Sequence, residues 1–389
     1  MSGRGGESAS GGSRAGHAAA TGQQTRAPAL SDAERAELLA RIRRATGSPR
    51  LAWGRAPERI PAGHESEIYV LALRGGSSAL AGPLVLRLFR APRFPRQASF
   101  EAAVHEGLAV QGFAVPRVLA ADDAPPAFLL MERLPGRGLA DGIEAGGGPL
   151  ARLAAIPALL RLSWGLPGRL AEATRELLAL DPAPVLAALR ARGLPPEAIG
   201  FDRHLAALER DVARHDLAGL RDGAEWLRLS RPAEPERRAV CHGDLAPNLL
   251  FAGERRTGVV DWSPAFVTVG DPAFEIANTR VMTTVPLPLA APLRHIAQRY
   301  QRSLVRRFER ALGPAAQPSP ERLRYYEAWR PLSTLVGASL LWRECAAGRP
   351  LPARPNPWYL PEVASAVARR FAEETGVRVR LPPPPSVAG

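Results

Sequence analysis

Apolar positions follow two rhythms along this chain. Between about residues 51 and 136 they come in short dense runs, Glu67–Leu73, Leu84–Phe89 and Ala127–Met131, which predict strands. A stretch from about Arg96 to Gln111 interrupts them with helical spacing. From about residue 149 to 375 the signal is mostly helical: Arg169–Leu180, Asp202–His215 and Pro292–Leu312, the last with its proline in the tolerated first turn. Ala151–Leu162 has the apolar content of a helix, but Pro157 interrupts it. Another helix is expected near the start, because Ser31-Asp32-Ala33-Glu34 reads as a capping box and Gly47 follows Thr46. Residues 1–30, rich in Gly, Ser and Ala, are expected to be a disordered tail, and 381–389, with four consecutive prolines, a loose one. The layout is α+β: a leading helix within 31–50, a small β-rich lobe at 51–136 and a larger helical lobe at 137–380. Met131-Glu132-Arg133-Leu134-Pro135-Gly136 would join the lobes.

Composition changes this picture little. A chain of 389 residues, 46% of them apolar, can bury a substantial core and suits two lobes better than one. No apolar stretch has membrane-spanning length and no leader pattern follows Met1, so a cytoplasmic protein without a membrane partner is expected. Cys241 and Cys345 make neither a disulfide framework nor a zinc site, and Cys241 reads as an inert, buried small residue. His64 and His105 lack metal-ligand spacing.

Charge matters more. All 51 basic residues are arginine, against 38 acids, for a net charge of +13. Such a surplus fits an anionic partner, or a coding bias that replaced lysine throughout. The arginines are scattered, with no dense basic run interleaved with aromatics, so a nucleic-acid partner is not expected. Any cation that touches a phosphate must then be an arginine.

The strongest chemical signal is His242-Gly243-Asp244-Leu245-Ala246-Pro247-Asn248 followed by Val259-Val260-Asp261-Trp262. Phosphoryl transfer needs a carboxylate to orient the attacking hydroxyl and oxygen ligands to hold Mg²⁺ on the phosphates. Asp244, Asn248 and Asp261 are the right groups for those jobs. Taken alone, Asp244 reads as a loop or capping aspartate; the joint pattern is what points to a site.

From Ala239 through Asp261-Trp262-Ser263 to Gly270-Asp271-Pro272-Ala273-Phe274-Glu275-Ile276-Ala277, the chain resembles the aminoglycoside phosphotransferase and choline kinase group of small-molecule kinases, relatives of protein kinases. The resemblance spans roughly residues 55 to 345. It implies a two-lobed protein-kinase-like fold, ATP and Mg²⁺ as cofactors, and transfer of the γ-phosphoryl group to a hydroxyl of a small molecule. Asp244 would orient the acceptor hydroxyl, Asn248 and Asp261 would ligate Mg²⁺, and His242 would hold the catalytic loop. Arg87, in Val85-Leu86-Arg87-Leu88, sits where these kinases place a basic residue on the nucleotide phosphates, with Glu101 as its helix partner and Glu106 as the second choice. The phosphate-covering loop would be Pro61–Ser66, with Ser66 and local N–H groups as contacts.

The chain departs from the family at two places. Asn248 follows Asp244 by four residues where the family has five, and Leu178 stands where relatives usually carry histidine. The first is expected to shift the Asn248 amide; it also motivates a rival reading, a degenerate kinase fold that binds nucleotide or a partner without turnover. Arg87 could instead be a surface arginine, and Glu101 a helix-surface acid. Gly270-Asp271-Pro272 reads as a turn more readily than as a second substrate carboxylate, and Trp262 as packing below the metal site. The acceptor would lie against the helical lobe, near Asp271, Glu275 or Tyr325-Tyr326-Glu327. An aminoglycoside needs a carboxylate-rich pocket, which an arginine-rich lobe does not favour.

Overall fold

The computed structural model describes residues 30–60, 66–138, 165–253, 255–285, 291–349 and 356–385. The interrupted helix at 151–162 and all of the phosphate-covering loop except Ser66 lie outside them.

Helix α1 (Asp32–Thr46) begins at the predicted capping box. Glu34 N–H donates to Ser31 Oγ at 3.2 Å, and Ser31 N–H donates to the Glu34 carboxylate at 2.8 Å. Gly47 closes the helix at φ 63°. Leu30, placed in the tail by the sequence pattern, is buried with Leu38 and Ile42.

Five antiparallel strands follow: β1 (Ala52–Ile60), β2 (Glu67–Arg74), β3 (Pro83–Phe89), β4 (Val118–Asp122) and β5 (Ala127–Glu132), in the order β1-β2-β3-β5-β4. Helix α2 (Gln97–Ala109) lies between β3 and β4 in sequence. Both sheet faces are covered, so the central strands read as unbroken apolar runs. Leu84, Leu86 and Leu88 of β3 join Ile42, Tyr69 and Phe128 in one core. Phe89, on the opposite face, packs with Ala98, Ala102 and Leu129. The two-residue period therefore puts Arg87 on the face that α2 covers. The apolar pattern does not predict the edge strands β1 and β4. β1 has an exposed, polar middle, carries Pro57 and shifts register twice against β2.

At Gly136 the chain turns with φ 112°, and a Cβ there would meet the Phe251 carbonyl oxygen at 2.5 Å. Short strands follow: β6 (Arg137–Gly138), β7 (Ala239–Cys241), β8 (Leu249–Ala252), β9 (Arg255–Val259) and β10 (Thr268–Gly270). They form two small sheets, β6-β8-β9 and β10-β7.

The rest of the described residues are mostly helical: α3 (165–179), α4 (Ala183–Ala191), α5 (Phe201–Arg214), α6 (Arg221–Leu229), α7 (Pro272–Thr283), α8 (Ala291–Leu312), α9 (Pro320–Ala346) and α10 (Pro361–Thr375). α7 and much of α9 are buried on several sides, which erases the one-sided period that marks a surface helix. Phe201, Phe274, Tyr326 and Trp329 interlock at the centre of this lobe. α2 belongs to both lobes, since its Phe100, Val104 and Leu108 share a core with Leu177, Val185 and Leu189. Among the described residues no helix is long and apolar enough to cross a membrane.

Candidate active site

Arg87 is the hub. Its guanidinium is buried and donates from Nη1 to Glu101 Oε2 at 2.7 Å, pairs through Nη2 with Asp261 Oδ1 at 2.8 Å, and donates from Nε to Ser66 Oγ at 3.3 Å. Glu101 is fully buried, and Gln97 Nε2 donates to its other oxygen at 3.2 Å. A planar fork suits this post, because three acceptors lie around one cation. Glu106, the second choice of partner, instead forms an ion pair with Arg192 and ties α2 to the end of α4. Asp261 takes the left-handed conformation at φ 64°, uncommon for a residue with a side chain. Its carboxylate remains 45% exposed, which leaves it accessible to a ligand from solvent.

The loop from β7 to β8 carries Asp244 and Asn248. Gly243 makes its turn at φ 72°, where a Cβ would come within 2.7 Å of the Phe266 carbonyl oxygen. Asp244 N–H donates to His242 Nδ1 at 3.2 Å, which leaves Nε2–H to donate to the Val260 carbonyl at 3.0 Å. His242 thus ties the Asp244 loop to the residue before Asp261. The ring also packs against fully buried Trp262, centroids 4.5 Å apart. The shortened loop closes as a 3₁₀ turn at Ala246–Asn248. Asn248 Nδ2 donates to the Asp244 carbonyl at 2.8 Å, and Val260 N–H donates to the Asn248 carbonyl at 3.1 Å.

Two residues that the motifs left without such a role shape this loop. Glu275 of α7 is fully buried, and its Oε2 accepts from both His242 N–H (2.6 Å) and Gly243 N–H (2.8 Å). Burial pushes its carboxyl up, while the two amides that donate to it oppose that shift. Arg330 of α9 is 6% exposed; it donates to the Gly243 carbonyl at 3.2 Å and from Nη2 to Asp244 Oδ1 at 3.3 Å. Nothing in sequence separates Arg330 from the other arginines. Asp271 caps α7 by accepting from Ala273 N–H at 2.9 Å and pairs with Arg322, as a turn residue would. Cys241 is buried, with its thiol pushed well up by burial and by the neighbouring Glu275 and Asp271 carboxylates.

Two buried histidines stand behind the site. His105 Nδ1–H donates to the Pro116 carbonyl at 2.8 Å, and burial, with the Arg87 charge, pushes it down to about 4. His204 Nε2–H donates to the Val267 carbonyl at 3.1 Å, and burial, with the Arg203 charge, pushes it down to about 3. A histidine depressed in the fold contributes stability above its unfolded value and loses it as pH falls toward the folded one. Buried Glu275 and Glu327, both raised by burial, act with the opposite sign, so the net pH curve mixes the two. The clean comparison is His204→Gln. Relative to this variant, the parent protein is expected to lose about 1.4 kcal/mol per pH unit below about 6.5. Urea unfolding of both proteins between pH 7 and 5 measures it; parallel curves would contradict a neutral His204.

Residues 57–332, more than half of the chain, match the phosphotransferase enzyme family (APH), and the chain belongs to that family. No curated protein matches it in sequence. Among solved structures it is similar to a candidate aminoglycoside phosphotransferase of Ralstonia eutropha JMP134. The identity is 19% over 87% of this chain and 94% of that one, with a TM-score of 0.52. It also aligns with the macrolide 2′-phosphotransferase of Brachybacterium faecium at 19% identity, over 85% of this chain and 96% of that one, with a TM-score of 0.44. The expected kinase-like fold, a small β lobe before a larger helical one, is the fold observed.

Proposed function

We propose that this phosphotransferase moves the γ-phosphoryl group of ATP, with Mg²⁺, to a hydroxyl of a small molecule. The observation that carries the reading is the ion pair from Arg87 to Asp261, backed by Glu101. It joins a cation of the β lobe to the motif that holds Asp244 and Asn248. Residues 51–136 would form the nucleotide lobe and 137–380 the catalytic and acceptor lobe.

The donor set fits the metal. Asp261 and Asn248 offer hard oxygens, and Mg²⁺ takes few protein ligands, drawing the rest from phosphates and water. When bound, the ion would neutralise charge on the phosphates. Arg87 and Ser66 would contact phosphate oxygens, with Glu101 fixing the guanidinium. Asp244 would orient the acceptor hydroxyl and receive its proton.

The test is transfer from γ-labelled ATP to a panel of alcohols, with and without Mg²⁺. Label is expected on an alcohol only with Mg²⁺, and Asp261→Ala is expected to remove the Mg²⁺-dependent part of nucleotide affinity. Nucleotide binding indifferent to Mg²⁺, with no label moved across the panel, would sink the reading in favour of binding without turnover.

A further inference from the structure

The carboxylates that the sequence offers for a cationic acceptor are buried and engaged. Asp271 is 5% exposed, caps α7 and pairs with Arg322. Glu275 is fully buried and accepts two loop amides. Glu327 is 6% exposed and pairs with Arg280. Asp244 itself faces the guanidinium of Arg330 at 3.3 Å.

Around that guanidinium the surface is apolar. The Phe266 ring lies 4.3 Å from Arg330 Cζ and the Trp358 ring 6.0 Å, and Met282 Sδ is 3.3 Å from Nη2. Arg330 is buried, whereas Phe266, Met282 and Trp358 are each only half-buried. These side chains come from the loop before β10, from α7 and from the turn before α10, so three separate elements converge on the guanidinium that meets Asp244. Partly exposed apolar groups meeting at one point present a surface for an apolar partner. A polycationic alcohol would lose its hydration there, meet a positive charge and find Asp271, Glu275 and Glu327 already engaged.

We infer that the acceptor is a hydroxyl compound with an apolar face and without multiple positive charges, its face resting on Phe266, Met282 and Trp358. This rests on the reading of Asp244 as the residue that meets the acceptor. Arg330 is then a positioning residue: it holds the loop and sets the sign of the charge beside the acceptor.

Equilibrium binding tests the inference without requiring turnover. The probes are octyl β-glucoside below its micelle concentration, a neutral amphiphilic alcohol, and kanamycin A, a polycationic one, both added to the full chain with ADP and Mg²⁺. Octyl glucoside is expected to bind about tenfold more tightly than kanamycin, a size of preference that one apolar patch supplies. Trp358→Ala should weaken octyl glucoside binding severalfold. Phe266→Ala, which removes the ring lying on Arg330, should weaken it likewise. Thermal unfolding of each variant confirms that it folds. Tighter binding of kanamycin by the parent protein, no binding of either probe, or variants that bind as the parent does would each overturn the inference. The expected binding pattern with no phosphoryl transfer would count against the proposed reaction and leave only the ligand preference of this surface standing.

Discussion

Asp244→Asn is expected to lower kcat for phosphoryl transfer by about 10²–10⁴-fold, the range of a positioned general base, with nucleotide affinity nearly unchanged. Asparagine keeps the size of aspartate and an oxygen for Arg330 Nη2, so the loop geometry should persist. What disappears is the negative charge and the ability to accept a proton from the acceptor hydroxyl. The loop is held by groups other than this carboxylate: the His242 ring, the Glu275 carboxylate and the backbone carbonyl of Gly243 toward Arg330. Initial rates at saturating ATP, with binding of an ATP analogue measured in parallel, separate the two effects. A variant that keeps more than about a tenth of the parental kcat would show that this carboxylate does not perform base catalysis.

The largest loss of stability is expected at Glu275. Glu275→Ala removes the acceptor of two buried main-chain donors, His242 N–H and Gly243 N–H, and leaves a cavity in the buried space beside Cys241. An unsatisfied buried donor costs about 1–3 kcal/mol, so a loss of about 3–5 kcal/mol in unfolding free energy follows, the scale seen when one partner of a buried charged contact is removed. Glu275→Gln should lose less, because its amide oxygen can still accept. Urea unfolding of both variants checks the order. If alanine cost no more than glutamine, the two amides would not depend on this carboxylate. The carboxyl also gives the fold an opposite pH response from the histidines. Raised by burial, it lowers stability as pH climbs above its ordinary value of 4.5, and Glu275→Gln should remove that component.

What can be read in the sequence, and what cannot, divides along physical lines. The capping box of α1 and the apolar runs of β2, β3 and β5 are legible because a local rule or two-sided burial dictates each. β1 and β4 are not, since edge strands need not be apolar, and α7 and α9 lack a one-sided period because several faces are buried. At the site, the strand period and apolar neighbours make Arg87 visible, and α2 brings Glu101 to it. Spacing alone does not separate Glu101 from Glu106; only the packing of α2 on α4 sends Glu106 to Arg192. Glu275 is visible as an acid near the acceptor side, but its two amide partners lie more than thirty residues upstream. Arg330 is invisible, one of 51 basic residues in the chain and 86 residues from the carboxylate it meets.

The arginine hub also governs how the protein responds to chemical labelling. Nucleotide reagents that acylate an amine beside the phosphates require a side chain able to shed a proton and attack. A guanidinium stays protonated throughout the physiological range, and Arg87 is further enclosed by two carboxylates. The sequence contains no lysine anywhere to substitute for it. The nucleotide site proposed for this chain offers no lysine amine, so surveys that capture kinases through a labelled lysine are expected to pass over it.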